Sequence, residues 1–161
     1  MATKEIGRFT GKRVGVIGGN SPDRAYIRVA EEMGCLIAEN GYLLVNGGMK
    51  GIMEASARGA HSSGGLVIGI LPGKETTEAN QFIDIPIPTG LGYMRNALVV
   101  LNSDILVAIN GEYGTLSEIA YAQIFHKPVL GIDTWDVKGI IRVSNPKEAI
   151  QRIKDYFDHQ L

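Results

Sequence analysis

Apolar residues along this chain fall into short unbroken runs that end in glycine. After most of these runs comes a longer stretch in which apolar positions recur every three or four residues. "RVGVIGG" (Arg13 to Gly19) is the first run, and a helical pattern follows it from about Pro22 to Glu39. "YLLVNGG" (Tyr42 to Gly48) repeats the arrangement, with "MKGIMEASARGAHSSGG" as its helix, and "LVIGILPG" (Leu66 to Gly73) is a third strand. The polar segment "KETTEANQFIDIPIPTG", with Pro86 and Pro88, reads as a loop carrying one short strand at Phe82 to Ile85. A helix from about Tyr93 to Asn102, the strand "ILVAI" (Ile105 to Ile109), a helix from Thr115 to about His126 and the strand "PVLGI" (Pro128 to Ile132) form a second series. A short extended piece and a terminal helix starting near Asn145 and Pro146 close the chain, proline being suited to a first helical turn.

Strands that are apolar throughout are covered on both faces, and strands alternating with helices are parallel. The pattern therefore predicts an α/β fold, a doubly wound, Rossmann-like parallel sheet in a single domain over residues 1–161. In such a sheet the strand-to-helix turns gather at the carboxyl edge, where ligands bind.

Charge and composition narrow the ligand classes. With 16 basic and 17 acidic residues the formal net charge is -1, which gives no field to collect nucleic acid or an anionic membrane. No stretch approaches the roughly 20 apolar residues needed to span a bilayer, and "MATKEIGRFTGKR" lacks the apolar core of a signal peptide, so a cytoplasmic protein is expected. A single cysteine, Cys35, forms neither an internal disulfide nor a multi-cysteine metal site, and its helical surroundings suggest core packing. His61, His126 and His159 lack zinc spacing and suit helix ends or surface; Trp135, Tyr156 and Phe157 suit packing.

Three glycine turns carry the candidate chemistry. The first, with Gly18, Gly19 and Asn20, lacks the full dinucleotide fingerprint; it is either an anion-facing set of amides or a tight turn capped by Asn20 or Ser21. In the second, Gly47, Gly48 and Gly51 bracket Lys50 and let a ligand approach the backbone, although helix packing and a solvated lysine explain the same residues. The third is "NGEYGTLSE" (Asn110 to Glu118). Its Thr115 and Glu118 fit a T-x-x-E capping box, while Gly111 and Gly114 at the end of a buried strand suit an anion or ribose cradle. "TGLGYMRN" sets Arg95 near the preceding helix start, from which it can converge with Glu118 at the same rim. An ordinary surface pair of that kind is worth at most about 1 kcal/mol.

These motifs resemble the lysine-decarboxylase-like or LONELY GUY (LOG) family, whose pattern P-G-G-x-G-T-x-x-E is matched by Gly111, Gly114, Thr115 and Glu118. Arg95 in "YMRNA" stands for the arginine of M-x-x-R-K, and "NGGMKGIM" and "GILPG" resemble two further elements in the family's order. The resemblance implies a nucleotide site and hydrolysis of nucleoside 5'-monophosphates to base and ribose 5-phosphate, not amino-acid decarboxylation. It implies Glu118 as the carboxylate that stabilises an oxocarbenium-like transition state and handles water, and Arg95 as holder of ribose or phosphate that keeps Glu118 ionised. No metal or cofactor is required by that scheme; a nucleotide or phosphate is the expected ligand, and a homo-oligomer, dimer or tetramer, the expected assembly. Three departures stand out: Asn96 replaces lysine, Glu112 replaces the second glycine of the phosphate loop, and Asn110 replaces proline. Such a divergent branch is similar to molybdenum-cofactor carriers, which hold a pterin phosphate without turning it over.

Overall fold

The computed structural model describes residues 9–159. Its strands are β1 (Arg13–Gly18), β2 (Leu43–Asn46), β3 (Val67–Leu71), β4 (Ile85–Pro88), β5 (Ile105–Ile109), β6 (Val129–Ile132) and β7 (Ile141–Arg142). They form one sheet in the order β4-β3-β2-β1-β5-β6-β7, with every pairing parallel. The helices are α1 (Arg24–Glu39), α2 (Ile52–Ser62), α3 (Asn96–Leu101), α4 (Tyr113–Ile124) and α5 (Pro146–Asp158). The chain is thus a Rossmann-like α/β domain.

Burial explains why the central strands read as continuous apolar runs. All five residues of β5 are buried, and β5 lies in register with β1 from Val14 opposite Ile105 to Gly18 opposite Ile109. One core cluster joins the sheet to α1, α2 and α5 through Met33, Ile37, Ile52 and Ile153; a second joins it to α3 and α4 through Val99, Val100, Ile119 and Ala122. The strand order runs outward from β1 to β4, returns to β5 beside β1, and runs outward again. A cleft opens where the two series part.

Some boundaries differ from the sequence pattern. The fourth strand lies at Ile85–Pro88 rather than Phe82 to Ile85, because Phe82 and Ile83 turn inward to pack against the first core cluster. Its prolines are accommodated because β4 is an edge strand with one neighbour. The helix expected over Tyr93 to Asn102 is split into a 3-10 turn, Gly92–Arg95, and the short α3. The terminal helix starts at Pro146, where the Asn145 side chain accepts the Glu148 amide at 2.9 Å. Among the described residues no helix is long and apolar enough to cross a membrane.

Helices α1 and α2 touch through Gly34 and Gly59. A methyl group on Gly34 would collide with the Ser56 carbonyl oxygen, and one on Gly59 with that of Glu31. The Cys35 thiol, half-buried beside this contact, donates to the Gly59 carbonyl at 3.3 Å. A glycine inside a helix ordinarily costs stability relative to alanine; at this crossing the sign reverses. Gly34→Ala is expected to lose roughly 1–3 kcal/mol in urea unfolding, the size of an overpacking defect. An unchanged or raised midpoint would show that the helices separate freely.

Candidate functional site

A cavity of about 500 Å³ sits over the carboxyl ends of β1, β2 and β5. The end of β1 and the turn after it contribute Gly18, Gly19 and Asn20, and the turn into α2 contributes Gly47 with Met53 behind it. The opposite wall is Arg95 and Asn96 at the start of α3, with Glu112, Gly114, Thr115, Ser117 and Glu118 on and before α4. Its size falls in the range of small-molecule sites.

Arg95 is 9% exposed, and the protein already uses much of its hydrogen-bonding capacity. Its Nε donates to the Ile70 carbonyl at 2.9 Å, one terminal nitrogen to the Asn96 side-chain oxygen, and the other to the Gly47 carbonyl at 3.5 Å. A guanidinium has five N–H groups, so these contacts leave two for a ligand. The Asn96 amide nitrogen in turn donates to the Ser117 hydroxyl at 3.0 Å, which donates to the Gly114 carbonyl at 2.6 Å. Arg95 and α4 are therefore fixed relative to one another through neutral groups.

The capping box is corrected by the structure. Helix α4 begins two residues before Thr115, with extended Glu112 as the cap position, and the Glu112 carbonyl accepts the Leu116 amide at 3.0 Å. Thr115 and Glu118 lie inside the helix and cap nothing. Their spacing of three instead sets both on one helical face, the face that lines the cavity. The Thr115 hydroxyl is buried without a hydrogen-bond partner among the described residues. The Glu118 side chain is 8% exposed and forms no ion pair with Arg95 within 4 Å. Burial pushes its carboxyl up to about 8, with Arg95 pulling in the other direction, so Glu118 holds its proton at neutral pH. That reverses the expectation that Arg95 keeps it ionised: desolvation outweighs an attraction with no direct contact.

Four candidate residues do not line the cavity. Lys50 is exposed and is not among the residues lining the cavity. Gly48, at φ +74°, packs on Leu71 and Gly69; Gly51, at φ +68°, sits against the Gly19–Asn20 backbone. Gly111, at φ +107°, leaves room for the Thr115 side chain behind it. These three shape the turns whose neighbours line the cavity. The loop containing Gly111 is pinned from the β6 side. Asn110 and Asp133 both take left-handed backbone conformations, at φ 48° and 47°. The Asn110 side chain donates to the Asp133 carbonyl at 3.2 Å, and the Thr134 hydroxyl donates to the Asn110 carbonyl at 2.6 Å. Trp135 does more than pack: its indole N–H donates to the Glu112 carbonyl at 3.1 Å.

The model of the SLOG cluster4 family matches residues 11–156, nearly the whole described domain. The chain belongs to the SLOG cluster4 family. It is 46% identical to an uncharacterized protein of Archaeoglobus fulgidus over 86% of this chain and 91% of that one. It is 30% identical to the cytokinin riboside 5'-monophosphate phosphoribohydrolase of Mycobacterium tuberculosis, over 76% of this chain and 71% of that enzyme. The chain spans only 52% to 73% of the length of the rice phosphoribohydrolases it matches. In solved structures it resembles the molybdenum cofactor binding protein from Rippkaea orientalis, with 36% identity, a TM-score of 0.86, and coverage of 91% of this chain and 97% of that one.

Within this SLOG cluster4 site the two charge-changing departures have distinct placements. Asn96 is buried and spans from Arg95 to α4, whereas Glu112 is exposed at the cavity mouth. Sequence reasoning missed Ser117, Met53, Tyr93 and Tyr113 as lining residues. The tyrosines flank the recognised arginine and glycine motifs, so sequence adjacency was a usable signal; Met53 and Ser117 needed the helix phases.

The proton on Glu118 gives a stability test. Unfolded, the carboxyl ionises around its ordinary 4.5; folded, it keeps its proton to about 8. Between those values the folded state binds more protons, so this group's contribution to stability is lost as pH rises. Glu118→Gln abolishes the titration. Urea midpoints measured from pH 5 to 8 are expected to shift progressively in favour of the glutamine variant as pH increases. A constant gap would mean that Glu118 ionises normally in the fold.

Proposed function

We propose that this chain hydrolyses the N-glycosidic bond of a nucleoside 5'-monophosphate, releasing free base and ribose 5-phosphate. The observation that carries the reading is Glu118, a buried carboxyl with no ion-pair partner among the described residues, facing a ligand-sized cavity and holding its proton to about 8. A group that titrates near the working pH can both give and take a proton. The Glu118 proton goes to the departing base nitrogen as the bond to C1' breaks. Water adds its oxygen to C1', and its proton returns to the Glu118 carboxylate, which meanwhile balances the oxocarbenium-like charge. One water is consumed and the residue is regenerated.

The 5'-phosphate fits the start of α4. Amides of the first helical turn and the partnerless Thr115 hydroxyl supply neutral donors there, and the helix end favours negative charge. The two N–H groups left on Arg95 serve the ribose or phosphate. Exposed Glu112 disfavours a second negative charge at the mouth, weakly because solvent screens it.

A second reading, a non-catalytic carrier of a nucleotide or of a pterin-phosphate molybdenum cofactor, is favoured by the similarity to the Rippkaea orientalis protein and by Asn96 standing in place of a lysine. In both readings the protein works in the cytoplasm as a homo-oligomer, dimer or tetramer. Exposed Met94 in the 3-10 turn before α3, Leu101 at the end of α3 and Ile124 at the end of α4 support assembly through apolar surface.

Chromatography of purine and pyrimidine 5'-monophosphates after incubation separates the readings. The hydrolase releases free base, and Glu118→Gln lowers turnover at least about 100-fold, the lower end of general acid–base contributions. Its kcat/KM falls above about pH 8, where the resting acid is lost. Ligand-induced thermal stabilisation with no base release would establish the carrier instead.

A further inference from the structure

We infer that Tyr93 and Tyr113 form an aromatic platform at the cavity mouth for the flat heteroaromatic ring of the ligand, with Trp135 as its brace. The inference rests on the reading of the cavity as a site for a base- or pterin-bearing ligand.

Tyr93 is 84% exposed and Tyr113 is 79% exposed, more than any other large apolar side chain among the described residues. Both line the cavity, from different elements: one belongs to the 3-10 turn before α3, the other opens α4. Two open aromatic rings thus border a site whose deeper wall is polar. Arg95, Thr115 and Glu118 occupy that wall, and sugar, phosphate and reacting carbon belong beside them. A ring joined to that carbon reaches back to the mouth.

Tyr113 is held ready. Its ring centroid lies 5.7 Å from that of Trp135, with 33° between the planes. Trp135 is itself anchored by its indole N–H to the Glu112 carbonyl at 3.1 Å. A side chain braced before binding loses less freedom on binding, and every base or pterin offers a π face to it. Because the tyrosines read a face and not an edge pattern, the platform accepts several bases. Discrimination among them falls to other groups.

Calorimetric titrations with adenosine 5'-monophosphate, ribose 5-phosphate, adenine and neopterin test the platform in wild type, Tyr113→Ala, Tyr113→Phe and Tyr93→Ala. The exposure of both rings makes the alanine variants tolerable to the core, and thermal melts check this. The expected result is about 10-fold or greater weakening of the ring-bearing probes in each alanine variant, with Tyr113→Phe near wild type and ribose 5-phosphate within twofold. Equal weakening of ribose 5-phosphate, or no weakening of any probe, overturns the platform. So does a change in sedimentation coefficient in the alanine variants with ligand affinity intact, since the rings would then belong to a contact between copies. Binding of adenine or neopterin, but not the monophosphate, with the alanine effect preserved keeps the platform and removes the phosphoribohydrolase reading. Failure of all four probes on wild type overturns the platform.

Discussion

A buried guanidinium keeps its proton, so its N–H groups must find acceptors inside the fold. Arg95 meets that demand at the carbonyls of Ile70 in β3 and Gly47 just after β2, and at the side chain of Asn96. These bonds draw the 3-10 turn across the carboxyl edge of the sheet. Through Asn96 and Ser117 the same network reaches the first turn of α4. One cation therefore locates four segments that otherwise have little reason to meet. The cavity is the space they leave over β1.

The same arrangement decides the state of Glu118. A carboxylate in contact with Arg95 would be an ordinary ion pair, and its proton would be lost well below neutrality. Because the guanidinium faces carbonyl oxygens, its attraction reaches Glu118 only at a distance, and burial prevails. The site is thus an acid at rest, a property usable in catalysis. It also suits a carrier, because a protonated Glu118 adds no second negative charge to a cavity that already has Glu112 at its mouth. Asn96 matters here because a lysine in its place would add a second cation near the carboxyl.

The layered architecture was legible in the sequence because central parallel strands are buried on both faces, and few other structures produce "ILVAI" and "RVGVIGG" bounded by glycines. The edge was less legible. In "FIDIPIP" either half offers strand-forming residues, and the choice depended on Phe82 and Ile83 finding a place in the core. At the site, motif spacing pointed to Arg95 and Glu118, and the fold places both on one cavity wall. The capping reading failed for a specific reason. A separation of three describes both a cap with its return partner and two neighbours on a helical face, and only the helix start distinguishes them. The protonation of Glu118 was invisible, since it follows from how deeply the carboxyl is buried and from a guanidinium that does not touch it.

Asn110 sets the path of its loop through its backbone. Its N–H is bonded to the Ile132 carbonyl at 2.9 Å, and its φ is 48°. Proline, the residue of the related motif at this position, has no N–H and is confined to φ near −65°. Asn110→Pro would break the tie to β6 and force the peptide into another basin, displacing Gly111 and Glu112 with it. Sharing the motif's glycines and glutamate therefore does not make this position interchangeable, and backbone geometry, more than side-chain chemistry, decides which residue it accepts.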